Sequence, residues 1–191
     1  MSNEVIGNAA INGPGSPDSG TLASVRWTDK SFPATRQRQG ATQKPDFDFT
    51  NMGLLFPQND PTEIVYIIDQ MDHRKKYDTN LKLHMHFIQT VATLPIFKCD
   101  YRFWNNGDEV PTFTTLSTAD GSGAVFPFVT NPILQIMSFP EIPHPDPEGI
   151  SANLEMKIYR DDNLVTGDVL VKYFDYHYQM DSDGSRQEFV K

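Results

Sequence analysis

Cysteine is nearly absent from this sequence, which carries a single thiol, Cys99, among 191 residues. One cysteine cannot form a disulfide within the chain, so the disulfide framework of a small secreted domain is excluded. Long apolar runs are missing too, and the apolar stretches are too short and interrupted to span a bilayer. The first twenty residues have neither a basic start nor an apolar centre, so we expect no signal peptide and no membrane partner.

Positive charge is scarce. Lys and Arg total 16 against 25 Asp and Glu, which gives a formal net charge of −9. Binding to nucleic acid depends on clustered Lys and Arg that neutralise phosphates, so we expect no nucleic-acid partner. Apolar residues make up only 38% of the chain, but aromatic residues reach 12%. The sequence therefore predicts a folded domain with an aromatic-rich core and many polar connections.

Residues 1–25 are rich in Gly, Ser, Asn and Pro and contain two charged side chains, Glu4 and Asp18. Such a segment cannot bury enough apolar surface to offset the entropy lost on ordering. We predict an extended N-terminal arm in front of one domain over residues 26–191. The arm is expected to bind a neighbouring molecule; packing on its own domain is the alternative.

Helical periodicity is absent, and short β-like runs recur instead. Eight runs alternate or are rich in β-branched and aromatic residues, with turn residues between them: 52–56, 63–69, 81–92, 96–105, 112–118, 132–139, 152–160 and 168–180. This spacing is typical of an all-β fold, and we predict a single antiparallel β-sandwich of jelly-roll type. Residues 26–50 are interrupted by Pro33 and Pro45, so one short strand in irregular structure is expected there.

Histidines supply the sharpest chemical signal. His84 and His86 lie two residues apart in an alternating run, so both side chains point to one face of the predicted strand. His177 shares a face with Asp175 in the last strand, and His73 precedes the first pair. If these strands are neighbours, the imidazoles converge and could hold zinc or iron. A polar face or a subunit contact is the alternative.

We predict no bound metal and no cofactor, because the residues flanking the histidines are ordinary surface types. The carboxylate that follows such a pair in cupin-type enzymes is also missing. The candidates for a metal site remain His73, His84, His86 and His177. No nucleophile motif or phosphate-binding loop is present, and Cys99 lies in an apolar run where a free cysteine is usually a packing residue. We therefore predict no catalytic residue and no enzyme.

Several blocks resemble a family of tailed-bacteriophage virion proteins. The most specific is FDYHYQMDSDGSRQEFVK (174–191), with its aromatic-x-His-Tyr pattern, Asp and Gly-Ser-Arg. RWTDKSFPATRQRQG (26–40), LKLHMHF (81–87) and WNNGDEVPTFTTLS (104–117) are similar to further blocks of that family. The family usually has Trp at the position of Phe87. Together the blocks are spread over most of residues 26–191, and the histidines recur within them.

The resemblance implies a non-enzymatic virion structural protein, made in the host cytoplasm. A capsid decoration (cement) protein on the outer surface of the head shell is the main expectation. Its partners would be the major capsid protein or other virion proteins, and it would form a symmetric oligomer, preferably a trimer. A neck, tail or fibre-adaptor subunit is the alternative, and a His-dependent metal-binding or carbohydrate-binding β-barrel protein is an alternative of another class. The predicted interface residues are Trp27, Phe32, Arg36, Arg38, Pro143 and Pro145.

Overall fold

The computed structural model describes residues 26–72, 74–76, 79–89, 93–105, 107–120, 123–124, 133–143, 152–162 and 167–180. Over these ranges the chain forms antiparallel β-strands and two short 3₁₀ turns, Ala34–Arg36 and Thr118–Asp120, with no α-helix. No helix within them is long and apolar enough to cross a bilayer. The predicted N-terminal arm lies outside the described residues.

Two antiparallel sheets carry the fold. Sheet A contains β1 (Arg26–Pro33), β3 (Asp46–Asp48), β4 (Gly53–Phe56), β6 (Lys82–Ile88), β9 (Gly123–Ala124), β10 (Gln135–Ser138) and β12 (Val169–Met180). Sheet B contains β2 (Arg38–Gln39), β5 (Ile64–Gln70), β7 (Phe97–Trp104), β8 (Thr114–Ser117) and β11 (Asn153–Arg160). The strand order is β3-β4-β12-β6-β10-β9 in sheet A and β2-β5-β11-β7-β8 in sheet B.

The connectivity is that of a jelly roll. The chain passes back and forth between the sheets, so that β4, β12, β6 and β10 are neighbours in one sheet and β5, β11, β7 and β8 in the other. The pairing of β4 with β12 joins distant parts of the chain. The prediction of an all-β, jelly-roll-like sandwich is therefore confirmed, and each of the eight predicted runs overlaps one of these eight strands.

The core lies between the sheets because alternate residues of each long strand face inward. Leu83, Met85 and Phe87 of β6 are fully buried, and they share one core with inward side chains of sheet B such as Cys99 and Met156. Aromatic rings fill much of this layer; Phe56 and Phe97 pack edge to face with centroids 5.2 Å apart. The predicted aromatic-rich core is present, and Cys99 is one of its buried packing residues.

The prediction of a single short strand within residues 26–50 is wrong. That segment contains β1, β2 and β3, and β1 is eight residues long. It pairs with β12 from Arg26 opposite Met180 to Pro33 opposite Tyr173. Pro33 stands at the end of the strand, where a missing N–H donor is tolerated. Pairing with β12, rather than a strong local preference, makes this segment a strand.

A β-bulge in β12 sets the direction of the following side chains. The pairing register with β6 shifts between Val171 and Tyr173. Before the shift Val169 and Val171 face the core, whereas after it Phe174 and Tyr176 do. One extra residue in a strand reverses the parity of inward and outward positions. The bulge therefore turns Tyr173, Asp175 and His177 away from the core.

The chain crosses from sheet B to sheet A after β11, because β11 and β12 belong to different sheets. Asp162 is buried there and accepts a hydrogen bond from Arg160 Nε at 2.8 Å. Its carboxylate also accepts a hydrogen bond from the backbone N–H of Ile96 at 3.0 Å. A buried carboxylate with these partners anchors the chain at the point where it leaves sheet B.

Candidate functional site

A cluster of histidines and carboxylates lies on the outer face of sheet A. Strand β6 pairs with β12, which places Asp175 opposite His84 and Tyr173 opposite His86. Strand β1 pairs with the other edge of β12 and places Asp29 opposite His177. The three neighbouring strands thus bring together His84, His86, Asp175 and His177, as expected if the predicted strands were adjacent. His73 lies outside the described residues.

Asp175 is the centre of the cluster. Its Oδ1 lies 2.9 Å from His86 Nε2, and its Oδ2 lies 2.8 Å from His177 Nε2. The other ring nitrogen of His177, Nδ1, lies 3.1 Å from Asp29 Oδ1. Asp175 is only 5% exposed. A buried carboxylate requires such partners, since transfer of an isolated charge out of water is costly.

The imidazole rings also contact one another and an aromatic neighbour. The rings of His84 and His177 meet edge to face with centroids 4.6 Å apart. The ring of His86 stacks on Tyr173 at 4.1 Å. His86 Nδ1 is buried and has no hydrogen-bond partner among the described residues. These contacts restrict ring rotation, so the polar atoms are held by packing as well as by hydrogen bonds.

The electrostatics keep Asp175 ionised and His84 neutral. Burial opposes the charge on Asp175, but hydrogen bonds and attraction from His86 and His177 outweigh it and lower the pKa of Asp175. Burial lowers the pKa of His84, and repulsion from His177 lowers it further, against the attraction of Asp175. A neutral imidazole and an ionised carboxylate side by side both offer lone pairs that can bind a cation.

The cluster opens into a cleft of about 370 Å³ on the sheet surface. The cleft is lined by the four clustered side chains together with Asp29, Ser31, Ile136 and Tyr173. A small ion, a water molecule or a side chain of a partner fits this space. The arrangement can bind a cation or a hydrogen-bonding group. The thiol of Cys99 lies elsewhere, in the core, and burial raises its pKa.

The predicted interface residues do not form one surface. Phe32, Arg36 and Arg38 line an open groove with Tyr66 and Ile68 of β5. Trp27 lies on another part of the molecule, beside Lys82, whose Nζ is 5.1 Å from the indole centroid. Pro143 is exposed and follows Ile142, which bridges to Leu81. Pro145 lies outside the described residues.

Sequence reasoning missed Asp29 at the histidine cluster and Tyr66 and Ile68 at the groove. Asp29 belongs to the segment predicted to be irregular, so its place beside His177 follows only from the β1–β12 pairing. Ile68 is 68% exposed although it lies in an apolar run. The alternation of EIVYIID contained a signal, since Val65 and Ile67 face the core and Tyr66 and Ile68 must then face outward.

No protein-family profile and no curated protein sequence matches this chain. Three solved structures are similar to this chain at low identity and low TM-score. The CBM36-1 domain of a multidomain xylanase from the hindgut metagenome of Trinervitermes trinervoides is 9% identical, with a TM-score of 0.45 over 78% of this chain and 96% of that one. The isomalto-dextranase of Arthrobacter globiformis T6, complexed with panose, is 10% identical, with a TM-score of 0.42 over 78% of this chain.

This chain spans only 23% of the isomalto-dextranase. The Eiger TNF from S. frugiperda is 9% identical, with a TM-score of 0.29 over 87% of this chain and 99% of that one. Similarities at this level assign neither a family nor a function.

Proposed function

We propose that this protein is a non-enzymatic structural subunit of a tailed-bacteriophage particle, and specifically a decoration protein that binds the head shell as a symmetric oligomer. The resemblance of residues 26–40, 81–87, 104–117 and 174–191 to virion proteins supports this role. The fold is compatible with it, since a jelly-roll sandwich presents long edges and loops to neighbouring subunits. The groove lined by Phe32, Arg36 and Arg38 would attach the protein to the shell.

The observation that carries the proposal is the exposed groove where β1 leads through the 3₁₀ turn into β2. Two adjoining hollows of about 220 and 460 Å³ share Arg38, Tyr66 and Ile68 as lining residues. Arg36 and Phe32 line the first of them. Three residues predicted from the sequence to contact a partner therefore meet in one concave, partly apolar surface.

The chemistry of this groove suits an acidic protein surface. Arg36 and Arg38 are exposed, and no ion pair of either guanidinium is found within the described ranges. Arginine binds carboxylates through two parallel hydrogen bonds. Exposed ion pairs contribute only about 0–1 kcal/mol each. Burial of Tyr66 and Ile68 would therefore supply most of the affinity, while the arginines would select the partner.

The groove is tested by charge reversal. Arg38→Glu should weaken binding to phage heads that lack this protein by at least tenfold, because it places a negative charge against the acidic partner surface. Lys44→Glu is the matched control, since Lys44 is also exposed, lies outside the groove and undergoes the same change of charge. Binding would be measured by sedimentation with purified heads. Equal affinity of the two variants would remove the groove from the attachment surface.

The place in the particle is tested by copy number. Quantitative mass spectrometry of purified phage should find about as many copies of this chain as of the major shell protein. A few copies per particle would instead assign it to the neck, the tail or a fibre adaptor. Its complete absence from particles would overturn the proposed virion role.

A further inference from the structure

We propose that His84, Asp175 and His177 bind one divalent transition-metal ion, such as Zn²⁺, on the outer face of sheet A. Their potential ligand atoms, one from each residue, all lie within 4.8 Å of one another. Two imidazole nitrogens and one carboxylate oxygen form a donor set that zinc and other first-row divalent ions prefer. This site goes beyond the proposed virion role and does not depend on it.

The strand pairing builds this triad. Asp175 and His84 are directly opposite each other on adjacent strands, and His177 follows Asp175 by two residues on the same face. Two ligands bound tetrahedrally at zinc distances are separated by about 3.3 Å. The 2.8 Å between Asp175 Oδ2 and His177 Nε2 is close to that spacing. His84 supplies the third donor, whose ring nitrogen lies within 4.8 Å of the other two potential ligand atoms.

Neighbouring groups orient the ligands as expected for a metal site. Asp29 Oδ1, at 3.1 Å, accepts a hydrogen bond from His177 Nδ1 and so leaves Nε2 facing Asp175. His86 Nε2 is 2.9 Å from Asp175 Oδ1, which leaves Oδ2 toward the ion. Carboxylates that hold a ligating histidine and donors that hold a ligating carboxylate are typical outer partners of metal centres.

The remaining coordination position faces the cleft. Within the described part of the chain the protein ligands come from the sheet side, while Ser31, Ile136 and Tyr173 line the space of about 370 Å³ around them. A three-ligand site with one open side leaves room for a water molecule or for a ligand from a partner molecule. The ion would link β6 to β12 directly and β1 indirectly through Asp29, so its binding should stabilise this part of the sheet.

The test is a titration of the full chain. After treatment with a chelator and its removal, calorimetry with Zn²⁺ alone should give one ion per chain, and the melting temperature should rise with bound zinc. Asp175→Asn and His84→Ala should each lower the affinity at least a hundredfold. His86→Gln, which alters an outer partner, should lower it about tenfold to a hundredfold.

Lys82→Gln is the matched control. Lys82 lies on the same face, opposite His177, and supplies no ligand in this proposal, so it should keep full stoichiometry and affinity. Circular dichroism of the metal-free variants separates loss of a ligand from loss of the fold. The visible spectrum of the Co²⁺-loaded chain should change on His177→Ala. Failure of the folded chain to bind Zn²⁺, or unchanged affinity in the folded ligand variants, would overturn the site and leave the virion proposal untouched.

Discussion

The ionisation of single residues in this protein depends strongly on the groups that surround them. Glu63 follows a polar loop and precedes β5, and one of its carboxylate oxygens is buried without a hydrogen bond inside the described part of the chain. Burial, together with repulsion from Asp60, Asp46 and Asp168, raises the pKa of Glu63 to about 7. The unfolded chain has no such environment, so Glu63 there ionises at its ordinary pKa.

Glu63 should therefore make the protein less stable as the pH rises from about 4.5 to 7. In that window the folded state keeps a proton that the unfolded state releases, so the free energy of unfolding falls as the pH increases. Glu63→Gln removes the effect and should stabilise the protein at about pH 8 by about 1 kcal/mol, after allowance for solvent screening. Below the ordinary pKa of a glutamate the two proteins should differ little.

Urea unfolding on both sides of this pH window measures the difference. Glu109→Gln is the matched control, because Glu109 is exposed on a loop and its replacement should change stability equally at both pH values. If Glu63→Gln and Glu109→Gln produced the same pH dependence, the raised pKa of Glu63 would have to be abandoned.

The histidine cluster shows what residue patterns do and do not contain. Alternation alone assigned His84 and His86 to one face and placed Asp175 with His177, and the structure confirms both assignments. The pattern could not reveal that Asp29 completes the group. That contact joins residues 148 positions apart along the chain, and only strand pairing brings them together.

At the level of strands, those with strong alternation were predictable and the edge segments were not. β6, β7 and β11 alternate between buried and outward positions, so hydrophobicity alone identifies them. β1 contains Arg26, Asp29 and Lys30 within eight residues, and its half-buried side chains give a weak signal. It becomes a strand because β12 extends beyond β4 and leaves its second half free to pair.

The bulge in β12 is indicated by the pattern of apolar residues along the strand. The buried apolar residues are Val169 and Val171 and then Phe174 and Tyr176. The inward-facing positions therefore change from odd-numbered to even-numbered residues once along the strand. Without that change Asp175 and His177 would point into the core, where an ionised carboxylate would be costly. The metal site proposed above therefore depends on the extra residue at Lys172, a surface position with no part in ligation.

Across the whole molecule, a buried ion pair holds the two sheets together at one end. Arg160 of β11 is fully buried, and its Nη1 donates to the carbonyl oxygen of Phe56 in β4 at 2.9 Å. Its guanidinium also contacts Asp162, whose backbone oxygen accepts from Asn59 N–H at 2.9 Å. These bonds join sheet B to sheet A, and their removal should loosen the packing of one sheet on the other.

Asp162→Ala should lower the free energy of unfolding by about 3–5 kcal/mol, because it removes a carboxylate that pairs with the fully buried guanidinium of Arg160. Asp161→Ala is the matched control. Asp161 pairs with Lys98 at the surface, and loss of an exposed pair should cost no more than about 1 kcal/mol. Chemical denaturation of the full chain measures both. Similar losses in the two variants would contradict a structural role for the buried pair.

Local residue patterns were sufficient to predict the fold class, the eight main strands and the faces on which most key side chains lie. These features follow from alternation, which each strand carries within its own few residues. Three juxtapositions emerged only in the folded chain: β1 joins sheet A, Asp29 meets His177, and Phe32, Arg36 and Arg38 share a groove with Tyr66 and Ile68. They depend on which strands become neighbours, and strand order is fixed by the packing of the whole sandwich.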